Sequence, residues 1–227
     1  MVRGEPVPGV QDLAWSVGAG IAAGIGILAL YAGLAVGRMG VVAPITGLLA
    51  AVVPSAFGIA IQGAPGALVL LGIAAALLAV VLVARVPDTT GGRSGFELAL
   101  VAGLGLGAFS VLIAQLREGG VFGPLVVVRL VEASLVGAAI VAARRDWRIP
   151  STLVGPVLVV GALDMAGNAL FVFAEQAGRL DVAAVLSSLY PVTTVVLAAV
   201  VLRERVTRMH ALGIGLAIGA ILLIASG

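Results

Sequence analysis

The chain has 227 residues, of which 61% are hydrophobic and 11% charged, and its mean hydropathy is +1.23. No water-soluble domain of this size could bury so much apolar surface, so lipid is the expected solvent for most of it. The absence of cysteine excludes disulfide scaffolds and thiolate metal sites, and a single histidine leaves few ways to build another metal site. Composition therefore predicts a membrane protein with neither a metal nor a cofactor.

The basic residues are all arginine, and the formal net charge is +2. They lie mostly between apolar blocks, which indicates topology signals and not a nucleic-acid surface. A lysine-free chain rich in alanine, glycine and valine is typical of a GC-rich bacterial genome, so we expect a bacterial cytoplasmic membrane. The stretch from Met1 to Leu13 has no apolar core of a signal peptide and predicts a short polar tail.

Eight apolar blocks are long enough to cross a hydrocarbon core of about 30 Å, which takes roughly 17 to 25 helical residues. The blocks are continuous and not alternating, so they predict helices and exclude a strand barrel. They run from Leu13 to Val36, Val41 to Ile61, Ala67 to Ala84, Phe96 to Leu116, Phe122 to Ala143, Thr152 to Ala174, Val182 to Leu202 and Met209 to Ala225. The expected fold is an all-α membrane protein with about eight transmembrane helices.

The sequence repeats itself at an offset of about 141 residues, which aligns the first three spans with the last three. At this offset Gly20 aligns with Gly161, and Gly26 aligns with Gly167. The second copy has two additional helices at its front, so three plus five helices resemble five plus five with two missing. A repeat displaced by five spans is inverted in the membrane, as in alternating-access transporters. We expect a first repeat at 1–88 and a second, complete repeat at 89–227.

Pairs of glycines four residues apart predict close helix packing. They are Gly20 and Gly24, Gly33 and Gly37, Gly103 and Gly107, and Gly215 and Gly219.

Arginine counts bear on orientation. With eight crossings, one face holds only Arg3, Arg117 and Arg179, and the other holds all remaining arginines except Arg129 within a span. The positive-inside rule then places both termini outside the cytoplasm.

Ionisable side chains within a span are costly and mark candidate sites. Asp164 and Asn168 lie four residues apart on one helix face, and Glu175 lies near the same azimuth about two turns further on. A carboxylate there can bind a proton or a cationic group of a substrate. A hydrogen bond between helices is the alternative.

Arg129 and Glu132 are three residues apart, close enough to pair on one helix face. A structural ion pair is the favoured interpretation, because mutual neutralisation lowers the cost of burial. An anion-recognising arginine held by Glu132 is the alternative.

The span from Val182 to Leu202 is rich in hydroxyls around Pro191, and its candidate site residues are Ser187, Tyr190 and Thr194. Proline frees a backbone carbonyl, as in discontinuous transporter helices, although a kink without a binding role would look the same. No serine or cysteine lies at a spacing from His210 that is typical of a nucleophilic dyad, so a catalytic site is not expected.

The segment from Ala184 to Thr194 reads AVLSSLYPVTT and is followed by Leu202-Arg203-Glu204-Arg205 and by Gly213. It resembles the carboxy-terminal repeat of EamA-type permeases in the drug/metabolite transporter superfamily. The resemblance covers 96–225 well and 13–84 more weakly. It implies ten helices in two inverted repeats, a central cavity, export of amino acids, metabolites or drugs, and cytoplasmic termini, which opposes the arginine count.

These observations predict a secondary transporter for a small solute. It would be driven by a gradient, because the sequence has no nucleotide-binding motif. The alternative is a truncated or partner-dependent membrane protein without transport activity of its own, with a homodimer or a second chain as the partner.

Overall fold

A computed structural model describes residues 9–36, 39–84, 95–116, 121–144, 150–187, 189 and 208–226. These ranges contain helices and no strand, as expected where backbone groups must be satisfied within each segment in lipid. The helices are α1 (Val10–Val36), α2 (Met39–Gln62), α3 (Ala67–Ala84), α4 (Phe96–Ile113), α5 (Phe122–Ala142), α6 (Ser151–Ala177), α7 (Leu180–Ser187) and α8 (Arg208–Ser226). The expected all-α membrane fold is confirmed.

The ends of the helices lie within three residues of the ends expected from hydropathy, except that of α7. Within the described ranges, α1, α2, α4, α5 and α6 are long and apolar enough to cross a membrane, and α3 and α8 contain shorter apolar helical segments. Helix α7 covers the first part of the span expected from Val182 to Leu202, and the rest of that span lies outside the described residues.

Helix α1 packs against α4 and α5 with almost no space between the backbones. A Cβ atom built on Gly20 would lie 2.7 Å from the Val128 carbonyl oxygen of α5, and one on Gly26 would lie 2.9 Å from the Leu106 amide nitrogen of α4. Real Cβ atoms do not come this close to backbone, so both positions require glycine. The prediction that small residues bring these helices together is confirmed for α1.

Glycine residues also allow α2 and α4 to pack closely. A Cβ on Gly103 would lie 2.5 Å from the Leu49 Cβ atom, and one on Gly107 would lie 2.7 Å from the Val53 Cβ atom. For α8 the predicted contact is not found among the described residues, where nothing lies within 4 Å of a Cβ built on Gly215 or Gly219. Helix α8 packs against α3 through other residues, among them the fully buried Ala220.

Helix α6 differs from α1 in that most of it has no cover. Residues 151–164 are all exposed, and no atom of the described residues lies within 4 Å of a Cβ built on Gly155, Gly161 or Gly167. Its buried residues, Ala169, Phe171 and Val172, lie in the part near α7. The two helices that correspond in the sequence repeat are therefore packed very differently.

The turn between α6 and α7 is fixed to the end of α2. The Arg179 guanidinium makes a bidentate ion pair with Asp181, with N–O distances of 3.0 Å, and donates to the carbonyl oxygens of Gln62 and Gly63. Asp181 is fully buried and also accepts from the Val182 amide at 2.9 Å, as a carboxylate at a helix N-terminus does. This turn therefore caps the carbonyl end of α2 and the amide end of α7 together. We call this end of the bundle the Arg179 end.

Candidate functional site

A cavity of about 480 Å³ lies between α2, α4, α6 and α7. Its lining residues are Gly47, Ala50, Leu106, Phe109, Ser110, Asp164, Gly167, Asn168, Phe171, Ala184 and Ser187. The volume falls within the roughly 300–1,000 Å³ usual for small-molecule sites. Most of the lining is apolar, and a few polar groups converge on one region.

Asp164 stands at the middle of α6. It lies 13 positions from Ser151 and 13 from Ala177, so at a rise of 1.5 Å per residue it is about 20 Å along the helix from either end. Its side chain is 56% exposed within the protein and lines the cavity. The carboxylate therefore stands at the centre of a helix that is long and apolar enough to cross a membrane, and it faces the cavity.

Arg129 links two carboxylates from different helices. Its Nη1 atom donates to the Glu132 Oε2 atom on the same helix, and its Nη2 atom donates to the Asp164 Oδ2 atom of α6. The pair between Arg129 and Glu132 expected from their spacing is present. Three of the candidate residues thus form one cluster with a charge of −1 when all of them are ionised.

Burial differs within this cluster. The Glu132 side chain is 10% exposed and the Arg129 side chain 29% exposed, and neither lines the cavity. Burying a charge is tolerated when it is paired, and Arg129 provides that pairing for Glu132. Asp164 is consequently the member of the cluster that a molecule in the cavity can touch.

Two of the other candidates, Asn168 and Ser187, line the same cavity. Asn168 lines the cavity one turn beyond Asp164 and donates from its Nδ2 atom to the Asp164 carbonyl oxygen at 2.9 Å. Ser187 lines the cavity from the last turn of α7. Tyr190 and Thr194 lie outside the described residues. Glu175 lies near the end of α6 and is not among the lining residues.

Toward the Arg179 end, the cavity adjoins a cluster of apolar side chains from α4, α5, α6 and α7, with which it shares Phe171 and Ala184. The buried members are Ile113, Leu116, Val121, Leu125, Ala169, Phe171, Val172, Leu180, Ala183 and Ala184. Hydrogen bonding to Asp181 raises the pKa of the Arg179 guanidinium, which therefore stays charged throughout the physiological pH range. Among the described residues, this end of the bundle therefore combines apolar packing with a charged ion pair.

The sequence did not indicate the contact between Arg129 and Asp164, nor the aromatic rings of Phe109 and Phe171 in the cavity wall. One signal was available for the first. A lone aspartate at the centre of an apolar span needs a partner, and Arg129 is the basic residue within another span. The sequence held no comparable signal for the two phenylalanines, because an aromatic residue in an apolar helix can face either lipid or a neighbouring helix.

Residues 93–226 match the family described as the EamA-like transporter family. The chain belongs to this family. The match includes α4 to α8 and therefore all of the charged cluster. The family is described as one of transporters, and a cavity among helices that are long and apolar enough to cross a membrane agrees with membrane transport.

A solved structure described only as "Crystal structure of protein" has a TM-score of 0.69 with this chain, over 94% of this chain and 85% of the other, at 16% sequence identity. At that identity the similarity concerns the fold alone. No curated protein matches the chain.

Proposed function

We propose that the chain is a secondary transporter that exports a small organic solute across a bacterial cytoplasmic membrane, with the cavity at Asp164 as its binding site. The observation that carries this proposal is the position of a solute-accessible carboxylate at the middle of α6, bonded to Arg129 of a neighbouring helix. Export is the direction that the resemblance to permeases implies. The arginine-only basic composition supports the bacterial assignment.

Coupling to protons follows from the chemistry of the cluster. When Asp164 takes up a proton, Arg129 keeps Glu132 as its partner and the cluster becomes neutral. Neutral groups cross low-dielectric surroundings at lower cost than charged ones, so protonation favours a rearrangement around the site. The proton gradient is the proposed energy source.

Alternating access would come from the two repeats at 1–88 and 89–227. The apolar cluster and the Arg179 ion pair among the described residues support a conformation that is closed at the Arg179 end. Opening this end requires α7 to separate from the end of α2, which breaks the bonds of Arg179 to Gln62 and Gly63. The inverted repeat supplies the corresponding motion on the opposite side.

The test is transport by the purified chain in liposomes with an imposed pH gradient. Asp164→Asn should remove the dependence of transport on that gradient, because an amide neither binds nor releases the proton. Glu97→Gln is the matched control, since Glu97 is an exposed carboxylate in the first turn of α4, away from the cavity. Unchanged pH dependence in Asp164→Asn would remove this carboxylate from the mechanism.

One observation favours a second candidate, a protein that needs a partner to complete its transport path. At the repeat offset, Gly161 and Gly167 of α6 correspond to Gly20 and Gly26 of α1. The glycines of α1 pack against α5 and α4, whereas no part of the chain that the structure describes lies within 4 Å of a Cβ built on those of α6. Two further helices, from a second copy or another chain, would cover α6 and close the cavity on that side. Solute flux by the chain alone in liposomes would rule out this dependence.

A further inference from the structure

We propose that the solute carries a single positive charge, such as an ammonium group, on an apolar or aromatic body, and that it exchanges with a proton at Asp164. This inference rests on the proposed transport function and names the substrate class of the same site. It follows from the charge of the cluster, from the residues that reach the cavity, and from the hydrogen bonds those residues already make.

The cluster lacks one positive charge. Arg129 uses one terminal nitrogen for Glu132 and the other for Asp164, so one guanidinium serves two carboxylates. An excess negative charge at the centre of an apolar spanning helix is costly and favours either a proton or a bound cation. The exchange is balanced: the cation enters as the Asp164 proton leaves for water, and the reverse occurs when the cation is released.

The cavity exposes the negative part of the cluster and hides the positive part. Asp164 is the ionisable residue among the described lining residues, and Arg129, which is not one of them, directs its terminal nitrogens to Asp164 and Glu132. Among the described lining residues, an anionic solute would therefore meet a carboxylate and no cation. A zwitterion would find a partner there for its ammonium group but no cationic partner for its carboxylate.

The neighbouring polar groups favour a donor on the solute. The Ser110 hydroxyl donates its one proton to the Leu106 carbonyl oxygen at 3.3 Å, so it offers a solute only acceptor lone pairs. Asn168 directs one of its amide protons to its own helix. An ammonium group brings donors and no acceptor, which matches what this part of the wall offers.

Two aromatic rings complete the recognition. Phe109 of α4 and Phe171 of α6 line the same cavity. A ring face attracts a cation, and its apolar surface accommodates the body of the solute. The lining residues of α2, Gly47 and Ala50, are small. The apolar body of the solute can therefore occupy the space beside α2.

The proposal is tested by calorimetric binding of three probes of similar shape to the purified full chain: phenethylammonium, phenylacetamide and phenylacetate. We expect the cation to bind about tenfold or more tightly than the neutral amide, and the anion to bind most weakly. Affinity for the cation should fall as pH is lowered, because protons compete for Asp164. Equal affinities for the three probes would overturn the proposal.

Variants separate the cavity from non-specific binding. Asp164→Asn should abolish the preference for the cation, and it leaves Arg129 and Glu132 as a neutral pair, so the fold is expected to persist. Phe109→Leu keeps an apolar side chain without the ring and should weaken cation binding by about threefold to tenfold. Glu97→Gln should bind as the unaltered chain does. A cation preference that survives Asp164→Asn would overturn the assignment.

The two proposals fail in different ways. If phenethylammonium binds with the expected dependence on Asp164 but no flux occurs in liposomes, the site stands and the transport function fails. If the liposomes transport phenylacetamide as readily as the cation, transport stands and the substrate class is wrong.

Discussion

Gly20 and Gly161 form a matched pair for testing the difference in packing between α1 and α6. In Gly20→Ala the new Cβ atom would lie 2.7 Å from both the carbonyl oxygen of Val128 and the Cβ atom of Val131. The first atom is backbone and the second is bonded directly to the backbone, so the helices must separate, and overpacking of this kind costs about 1–3 kcal/mol. In Gly161→Ala the new Cβ atom has no neighbour within 4 Å among the described residues.

Replacing glycine by alanine inside a helix is favourable by about 1 kcal/mol at both positions. The two variants should therefore differ by about 1–3 kcal/mol in the free energy of unfolding, with Gly161→Ala the more stable and Gly20→Ala neutral to destabilised. Reversible unfolding of the purified chain in detergent, with helix content followed by circular dichroism, measures this difference. Equal stabilities would refute the packing described for α1. A Gly161→Ala chain that is stable when purified but inactive in its native membrane would instead indicate that another helix covers α6 there.

Three further predictions concern the ion pairs and the junction between α2 and α7. Arg129→Met should lower the free energy of unfolding by about 3–5 kcal/mol, because it leaves the nearly buried Glu132 unpaired. Adding Glu132→Met should restore most of that loss, which a double-mutant unfolding experiment measures. Additive losses in the two variants would contradict the pairing. Arg179→Gln should lower the free energy of unfolding by about 1–3 kcal/mol, since it removes the partner of the buried Asp181, and an unchanged thermal midpoint would argue against this anchor. Gly58→Ala would place a Cβ atom 2.7 Å from the Asp181 amide nitrogen and should push α2 and α7 apart. A cysteine introduced near the Arg179 end should then be labelled faster. Unchanged labelling would show that the junction tolerates the added methyl group.

The helices could be predicted from the sequence because a long, continuous apolar segment in lipid must satisfy its backbone hydrogen bonds within itself, and an α-helix does so. The expected bounds of α3 are those observed, Ala67–Ala84. Helix α6 extends to Ala177, beyond the expected Ala174, because Glu175 and Gln176 are polar and end the apolar signal without ending the helix. Hydropathy reports where the chain is apolar, and hydrogen bonds decide where the helix stops.

Contacts within one helix could be predicted, and contacts between helices could not. The spacing of Arg129 and Glu132 determines that they can meet, whatever the rest of the fold. The bond from Arg129 to Asp164 depends on which face of α5 lies toward α6, and the sequence does not encode that choice in any local pattern. The missing contact at Gly219 among the described residues has the same origin, since glycine spacing permits close packing but does not supply a partner.

The uncovered length of α6 also affects how a solute would reach the site. Asp164 stands on a wall with open space along 151–164, so an amphiphilic cation dissolved in one leaflet of the bilayer can approach the cavity sideways without first returning to water. Its rate of capture would then follow its partition coefficient into the membrane and not its aqueous concentration. For a chain of this shape, the lipid itself would act as the reservoir of substrate.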